Sequence, residues 1–281
     1  CRWALLFCGG NHDTEAVFRG LRSVIGNAPV YGGATFGAIT NHGASYKGTE
    51  CAVALFSSDP PQALAESNLD KGEGETGRRL GRRLNENAPD GSVVFLFYDS
   101  IRSFSPSRLH VGSRLLSGIY ETLGENKIHL VGAGTVGDPQ LKHSFVFDGR
   151  KTAKHTAVAL ILPPAFQART QIMHGCVPVG EFVNITRMDG PVVYELNDRP
   201  ALDVIRDVVP DIEIGNRPAL NVAIGKKHGD PNAPDLESNY VSRLILSSNP
   251  VDGSVTLFED DFHQGARVRI LHRSNKKMLE S

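Results

Sequence analysis

The feature that most constrains this chain is an apolar run that empties into clustered glycines, and it occurs twice. Residues 30–37 read Val-Tyr-Gly-Gly-Ala-Thr-Phe-Gly, and residues 130–137, one hundred positions later, read Leu-Val-Gly-Ala-Gly-Thr-Val-Gly. Gly32, Thr35 and Gly37 align with Gly132, Thr135 and Gly137. A strand ending in such a turn exposes backbone N–H groups with no side chains in the way, which suits a small anionic or polar ligand. The same glycines also permit positive φ and close backbone packing at a sheet edge. The threonine recurring at one point among them favours ligand recognition.

The turns sit in a repeated frame. Apolar runs at 3–7 and 93–98 are too short for helices and fit buried strands. Amphipathic stripes at 14–24, with Asp13 as N-cap, and at 113–123 predict helices. Cys51–Phe56 predicts a further strand, and Ala52-Val53-Ala54-Leu55 returns letter for letter as Ala157-Val158-Ala159-Leu160. Four matches in one order predict a duplicated strand–helix–strand unit over 1–163, with a mostly parallel sheet flanked by helices. Residues 59–90 read as a helical linker, with Arg78, Arg79, Arg82 and Arg83 forming a solvated ridge.

Pro163-Pro164 marks a boundary. Residues 164–281 predict an α+β domain with hairpins: one turning at Met188-Asp189-Gly190, another at Asp252-Gly253. A helix opens after Pro200, and a polar loop at 225–239 is long enough to be functional or mobile.

Composition narrows the partners. Thirty Lys and Arg against 31 Asp and Glu give a net charge of −1, so nucleic acid and anionic membrane are not expected. No apolar run approaches the roughly 20 residues that span a bilayer. The four cysteines, at 1, 8, 51 and 176, include no Cys-x-x-Cys pair. Cys8 and Cys51 lie in apolar runs that suit reduced, buried thiols, which favours a cytoplasmic setting. Starting with neither methionine nor signal peptide, the chain reads as trimmed.

Sharper chemistries meet obstacles. Gly132-x-Gly134-x-x-Gly137 matches the dinucleotide fingerprint, but that fingerprint needs a helix directly after it, and Asp138-Pro139 with a polar insertion follows instead. No histidine spacing indicates zinc. His42 and His143 lie just past the two turns, and with His174 they are the candidates for a haem ligand. Gly33-Ala34-Thr35-Phe36-Gly37 imitates a nucleophile elbow without the helix that an elbow requires. Cys176 and His174 are neighbours, whereas Cys–His pairs are normally built from distant segments. No enzyme is expected, and no cofactor unless it is haem.

Residues 28–37 (Ala-Pro-Val-Tyr-Gly-Gly-Ala-Thr-Phe-Gly) and 52–55 together resemble the N domain of the FIST family. Pro178-Val179-Gly180, Ile185-Thr186-Arg187, Val193-Tyr194-Glu195-Leu196, Pro200-Ala201-Leu202, Tyr240-Val241-Ser242-Arg243 and Gly265-Ala266-Arg267-Val268 resemble its C domain. The order and number of segments carry the resemblance. In the family a further helical stretch precedes the first strand and the C domain runs on further, so a truncated C domain is expected. The resemblance implies a sensory, ligand-binding module of intracellular signal transduction that takes small molecules such as amino acids. It also implies a signalling kinase, a cyclase or a ubiquitin ligase as partner. Its alternatives are a haem-based nitric-oxide sensor and a substrate-recruiting domain of the F-box kind. The ligand is expected at the ends of the strands over 30–31 and 128–131, against the C-terminal domain. Backbone N–H groups around Gly32, Gly33, Gly132 and Gly134 would hold its anionic group, Thr35 and Thr135 would add hydroxyls beside Gly37 and Gly137, and Asn184 and Arg243 would come from the second domain.

Overall fold

The computed structural model describes residues 1–40, 43–104, 107–170, 174–210, 219–230, 232–274 and 276. It divides into two compact units, Cys1–Arg169 and Thr170–Ser281.

In the first unit, the runs read as buried strands become the centres of two sheets. Trp3–Cys8 pairs in parallel with Val30–Ala34 and antiparallel with Cys51–Phe56. Val93–Asp99 pairs in parallel with His129–Thr135 and antiparallel with Thr156–Ile161. Order and direction are therefore the same in both. Each parallel pair is joined through a helix, Thr14–Ile25 in the first and Gly112–Thr122 in the second. Asp13 caps the first of these, its carboxylate accepting from the N–H groups of Glu15 and Ala16.

The mostly parallel sheet is corrected: each sheet has one parallel pair, and its other pairs are antiparallel. Parallel neighbours need a crossover, usually helical. Among the described residues, the return from Val30–Ala34 to Cys51–Phe56 carries the small hairpin Ala38–Thr40/Gly43–Ser45 and no helix, and the strand comes back antiparallel. Several strands were also missed, two of which complete the sheets. Gln62–Ser67, inside the expected linker, edges the second sheet, and Val146–Gly149, inside the polar insertion, covers Val30–Ala34. The arginine ridge is tied to that new edge, because Arg79 and Arg83 both pair with Glu66.

The four-letter match is not a structural match. Ala52 lies opposite Phe7, but Val158, not Ala157, lies opposite Phe97. One residue of slip turns every side chain to the other face. Val158 and Leu160 accordingly enter the interior between the sheets, whereas Val53 and Leu55 are exposed at 46% and 57%.

The sheets pack face to face over Trp3, Tyr31, Val93, Phe97, Val158 and Leu160, with Trp3 stacked on Phe56 at 3.8 Å. Outside the first sheet, Thr14–Ile25 seats Phe18 against Leu6, Val30 and Phe147. Outside the second, Glu73–Asn87 and Gly112–Thr122 seat Leu80, Leu84, Leu115 and Ile119. The result is a four-layer helix–sheet–sheet–helix sandwich.

The second unit is a closed antiparallel barrel. Its strands run Cys176–Asp189, Arg267–Arg273, Ala219–Lys227, Tyr240–Asn249, Ser254–Leu257 and Val192–Leu196, which returns to Cys176–Asp189. Helix Ala201–Val208 adds Leu202 and Ile205 to the core they share with Val222, Ile245 and Val268. Closure leaves these six strands without free edges. The long polar loop is gathered by Asp235, which accepts from Tyr240 Oη (2.7 Å), Lys227 Nζ (3.0 Å) and Arg269 (2.6 Å).

The two crossover helices differ at one matched position. A Cβ built at Gly118 would stand 2.2 Å from the Gly74 carbonyl oxygen of the adjoining helix. Gly20, at the corresponding place before the C-terminal glycine (Gly26 and Gly124, both with φ +67°), has nothing within 4 Å. In urea unfolding, Gly118→Ala should therefore cost about 1–3 kcal/mol through overpacking. Gly20→Ala should stabilise by about 0.5–1 kcal/mol through helix propensity. Equal effects of the two would refute the difference in packing.

Candidate functional site

Buried polar groups collect at one end of the first unit. Of the ten buried polar or charged residues among those described, nine belong to this unit and one, Ser254, to the barrel. Many of the nine surround the C-terminal end of Val93–Asp99, the end of a parallel pair at which α/β sheets place ligands.

The layer is built in sequence steps. Strand His129–Thr135 ends at Thr135, whose hydroxyl lies 2.8 Å from Phe145 O and 3.1 Å from Tyr98 O. Ser144 Oγ donates to Thr135 O (2.6 Å) and accepts from Ser100 N–H (3.0 Å). Ser100 O takes the N–H of His110 (2.8 Å), which fixes the approach to helix Gly112–Thr122. From His110 the bonds run through side chains. Its Nδ1 lies 3.0 Å from Glu73 Oε1, and its Nε2 lies 3.1 Å from His155 Nδ1. Asp99 closes the chain, accepting His155 N–H at 2.6 Å and Ile101 N–H at 3.2 Å. Arg102 stands 3.5 Å from Glu73 and donates to Asp70 O at 2.9 Å.

Glu73 is 3% exposed and Asp99 1%. Burial by itself raises the Glu73 carboxyl. The hydrogen bond from His110, the Glu73 backbone N–H and the nearby His110 and Arg102 charges outweigh it, so the net shift is downward and the group is ionised. An ionised carboxylate only accepts, so His110 Nδ1 carries the proton. In neutral His110, Nε2 is then the acceptor and His155 Nδ1 the donor, which directs the remaining lone pair of His155 to Nε2. This assignment follows from the network. The arrangement links a buried carboxylate through one imidazole to a second that is 35% exposed. It can hold or move a proton and can present a cation to an anion. His155 also has φ +48°, a left-handed conformation that a non-glycine residue adopts at a cost and that concentrates at functional sites.

The glycine turns hold different positions from those expected. Gly32 and Gly33 lie within Val30–Ala34, which is paired on both sides, so their N–H groups lie inside the sheet and do not rim a turn. Cβ atoms at Gly32 and Gly132 would stand 2.3 and 1.8 Å from the carbonyl oxygens of Leu6 and Leu96. Close backbone approach is what both positions require. The two segments do meet: a Cβ at Gly33 would stand 2.7 Å from Thr135 Cγ2, and Gly137 O accepts the N–H of Gly10 at 2.9 Å. Thr135 is 4% exposed and its hydroxyl faces the backbone carbonyls of Tyr98 and Phe145. Thr35 is half-buried and forms a local turn with Gly37, whose N–H reaches its Oγ1 at 3.3 Å. Gly132 is exposed and Gly134 half-buried on an edge strand, and a Cβ at Gly134 would meet Ser100 Oγ.

His143, 48% exposed, holds its Nδ1 3.0 Å from buried Asp138. His174, in the second unit, receives the Cys176 N–H on Nδ1 at 3.0 Å. His42 lies outside the described residues. Asn184 and Arg243 are barrel residues: Asn184 donates its N–H to Asn197 (2.8 Å), and Arg243 is paired with Asp261 and Glu259.

The FIST N domain model matches residues 2–199. The chain belongs to the FIST family. Members of this family are sensory modules of signal transduction. The match covers the four-layer unit and enters the second through the hairpin formed by Cys176–Asp189 and Val192–Leu196. No curated protein and no solved structure matches the chain. No helix among the described residues is long and apolar enough to cross a membrane.

Sequence reasoning missed Glu73, Asp99, His110 and His155 in this FIST domain. One signal was available, since Asp99-Ser100 ends a buried apolar strand where the matching run at 3–7 leads into Gly9-Gly10. His110 and His155 are 45 positions apart and carry no spacing signature.

Because the folded-state pKa of Glu73 lies below its unfolded value, its stabilising contribution is complete above the usual carboxylate range. It disappears as pH falls through the lowered value. Glu73→Gln should cost about 2 kcal/mol at pH 7 and flatten the acid limb of a stability–pH profile. An unaltered acid limb in urea melts would show that Glu73 is not the titrating partner.

Proposed function

We propose that this FIST domain senses a small anionic or polar molecule, with amino acids as the leading class, at the polar end of its first unit. The observation that carries the reading is the chain from buried Glu73 through His110 to His155, with Arg102 beside it. Arg102 is 43% exposed and His155 35%, so a cationic and an imidazole group are open to solvent over a buried, hydrogen-bonded base. A ligand carboxylate suits both: guanidinium offers paired donors, and imidazole offers one more. In this reading Gly132 and Gly134 add an open strand edge, and Thr35 and Gly37 act by shaping the neighbouring turn.

The pair of strand–helix–strand units is, in the same reading, an internal duplication. Shared strand order, shared directions and the matched helix glycines support it. The second copy has then acquired Asp99 and Ser100 where the first retains glycines. Occupancy would be passed to an output partner such as a signalling kinase, a cyclase or a ubiquitin ligase, in a cytoplasmic setting. The domain acts as a binder and not as a catalyst.

A thermal-shift screen of amino acids and small carboxylates, followed by calorimetric titration of the best, tests this. His155→Gln and Arg102→Gln should each weaken binding by about 10- to 100-fold, the loss expected for one charge-assisted hydrogen bond. Both variants should remain folded by circular dichroism. Full affinity in both would move the site elsewhere. Turnover of the ligand would replace the binder with an enzyme, and a Soret band after expression with haem would replace the reading with the gas sensor.

A further inference from the structure

Outside the polar layer, two thiols face each other across the first sheet. Cys8 is the last residue of Trp3–Cys8 and Cys51 the first of Cys51–Phe56, and the two stand directly opposite one another in the antiparallel ladder. The next pair along, Gly9 and Glu50, is hydrogen-bonded, with Gly9 N–H reaching Glu50 O at 2.8 Å. Hydrogen-bonded and non-hydrogen-bonded pairs alternate, so Cys8 and Cys51 form a non-hydrogen-bonded pair. In such pairs the Cα atoms are about 4.5 Å apart and the side chains approach most closely. That separation falls inside the window of about 4.4–6.8 Å that a disulfide spans. Opposite residues point to the same face of a sheet, so no backbone rearrangement is needed to bring the sulfurs together.

We propose that Cys8 and Cys51 form a reversible cross-strand disulfide when the protein meets a peroxide. The two residues differ in accessibility, and this sets the order of events: Cys51 is exposed and Cys8 is buried. Burial, followed by the neighbouring Cys51, pushes the Cys8 thiol up to about 12, so it stays protonated. Burial raises Cys51 as well, while the Gly9 N–H and the Cys8 thiol, both beside its sulfur, act in the opposite sense. The net shift of Cys51 is also upward, so accessibility, not acidity, makes it the sulfur that the peroxide reaches first.

The first step joins Cys51 sulfur to one peroxide oxygen and breaks the O–O bond, and the departing oxygen leaves as water. In the second, Cys8 sulfur attacks the resulting sulfenic sulfur. The S–S bond forms, the S–O bond breaks, and the hydroxyl leaves as water with the Cys8 proton. Overall, two thiols and one hydrogen peroxide give one disulfide and two waters. The two cysteine sulfurs are oxidised and the peroxide oxygens reduced.

The bond would fix the end of Trp3–Cys8 where Cys8 O accepts the Thr35 N–H at 3.0 Å and Gly10 adjoins Gly137. Oxidation would therefore lock the first sheet next to the segment at which it meets the second.

The test treats the full 281-residue chain with hydrogen peroxide, alkylates the remaining thiols and maps the peptides by mass. Expected is one linked peptide joining Cys8 to Cys51, two hydrogen masses lighter than the pair and separated by a thiol reductant. In Cys51→Ser the linked peptide should vanish and Cys8 should stay alkylatable after unfolding. In Cys1→Ser and Cys176→Ser the link should persist. Cys51 recovered as sulfinic acid beside a free Cys8, or linked to Cys1 or Cys176, would overturn the proposal.

Discussion

Two sheets of the first unit share one apolar interior, and the position of every polar group of interest depends on that contact. Trp3, Phe7 and Tyr31 from one sheet meet Phe97, Val158 and Leu160 from the other. Fully burying an aromatic or branched aliphatic side chain is worth about 1.5–3 kcal/mol, so the five buried groups, with partly buried Phe7 against them, dominate any single hydrogen bond at the rim. The strand exchange between the sheets adds to this. Gln62–Ser67 follows the first sheet in the chain but edges the second, and Val146–Gly149 follows the second but covers the first. Neither sheet can be completed without the other. This interlock carries Thr135 against Gly33, and with it the whole layer from Ser144 to His155.

Against that apolar interior the polar layer is a cost that must be met locally. A buried carboxylate without partners costs several kcal/mol, and well-packed apolar residues in place of a buried ion pair are often as stable or more so. Asp99 meets the cost with two backbone N–H groups, and Glu73 with His110 and Arg102. Satisfying these groups takes residues from several separate parts of the chain, among them 73, 99, 110 and 155. A device that demanding is a poor way to gain stability and a good way to hold a proton at a defined atom. The left-handed backbone at His155 has the same character, since it opposes folding and aims a particular ring.

Much of the architecture was legible because it is written in short-range pattern. Buried runs at 3–7 and 93–98, the Asp13 cap and the helical stripes all depend on neighbours within a few residues, and each produced the expected element. Strand direction did not, since it depends on what lies between strands, and a small hairpin in place of a helix reversed Cys51–Phe56. The letter match at 52–55 and 157–160 misled for a related reason: identity in a period-two element says nothing about which face a residue takes. The site was the least legible part. Glycines advertise themselves in a sequence, whereas His110 and His155 become a pair only through the packing of distant strands.

The difference between the two halves of the first unit explains why the polar layer lies on one side. In the first half, Val30–Ala34 is covered by Val146–Gly149, and its neighbouring strand leads into Gly9-Gly10, which lie against Gly48 and Gly137 with no room for a Cβ. Backbone contact fills that position. In the second half, His129–Thr135 is left as an edge, and the corresponding strand end carries Asp99 and Ser100 in place of glycines. There the Asp99 side chain reaches His155 N–H, the Ser100 N–H donates to Ser144, and the helix Glu73–Asn87 supplies the carboxylate that orients His110. The half closed by glycine is filled by backbone contact, and the half with an open edge carries buried polar side chains. The same strand–helix–strand order thus ends in backbone contact in one half and in a buried polar layer in the other, through the identity of two residues and the placement of one added strand.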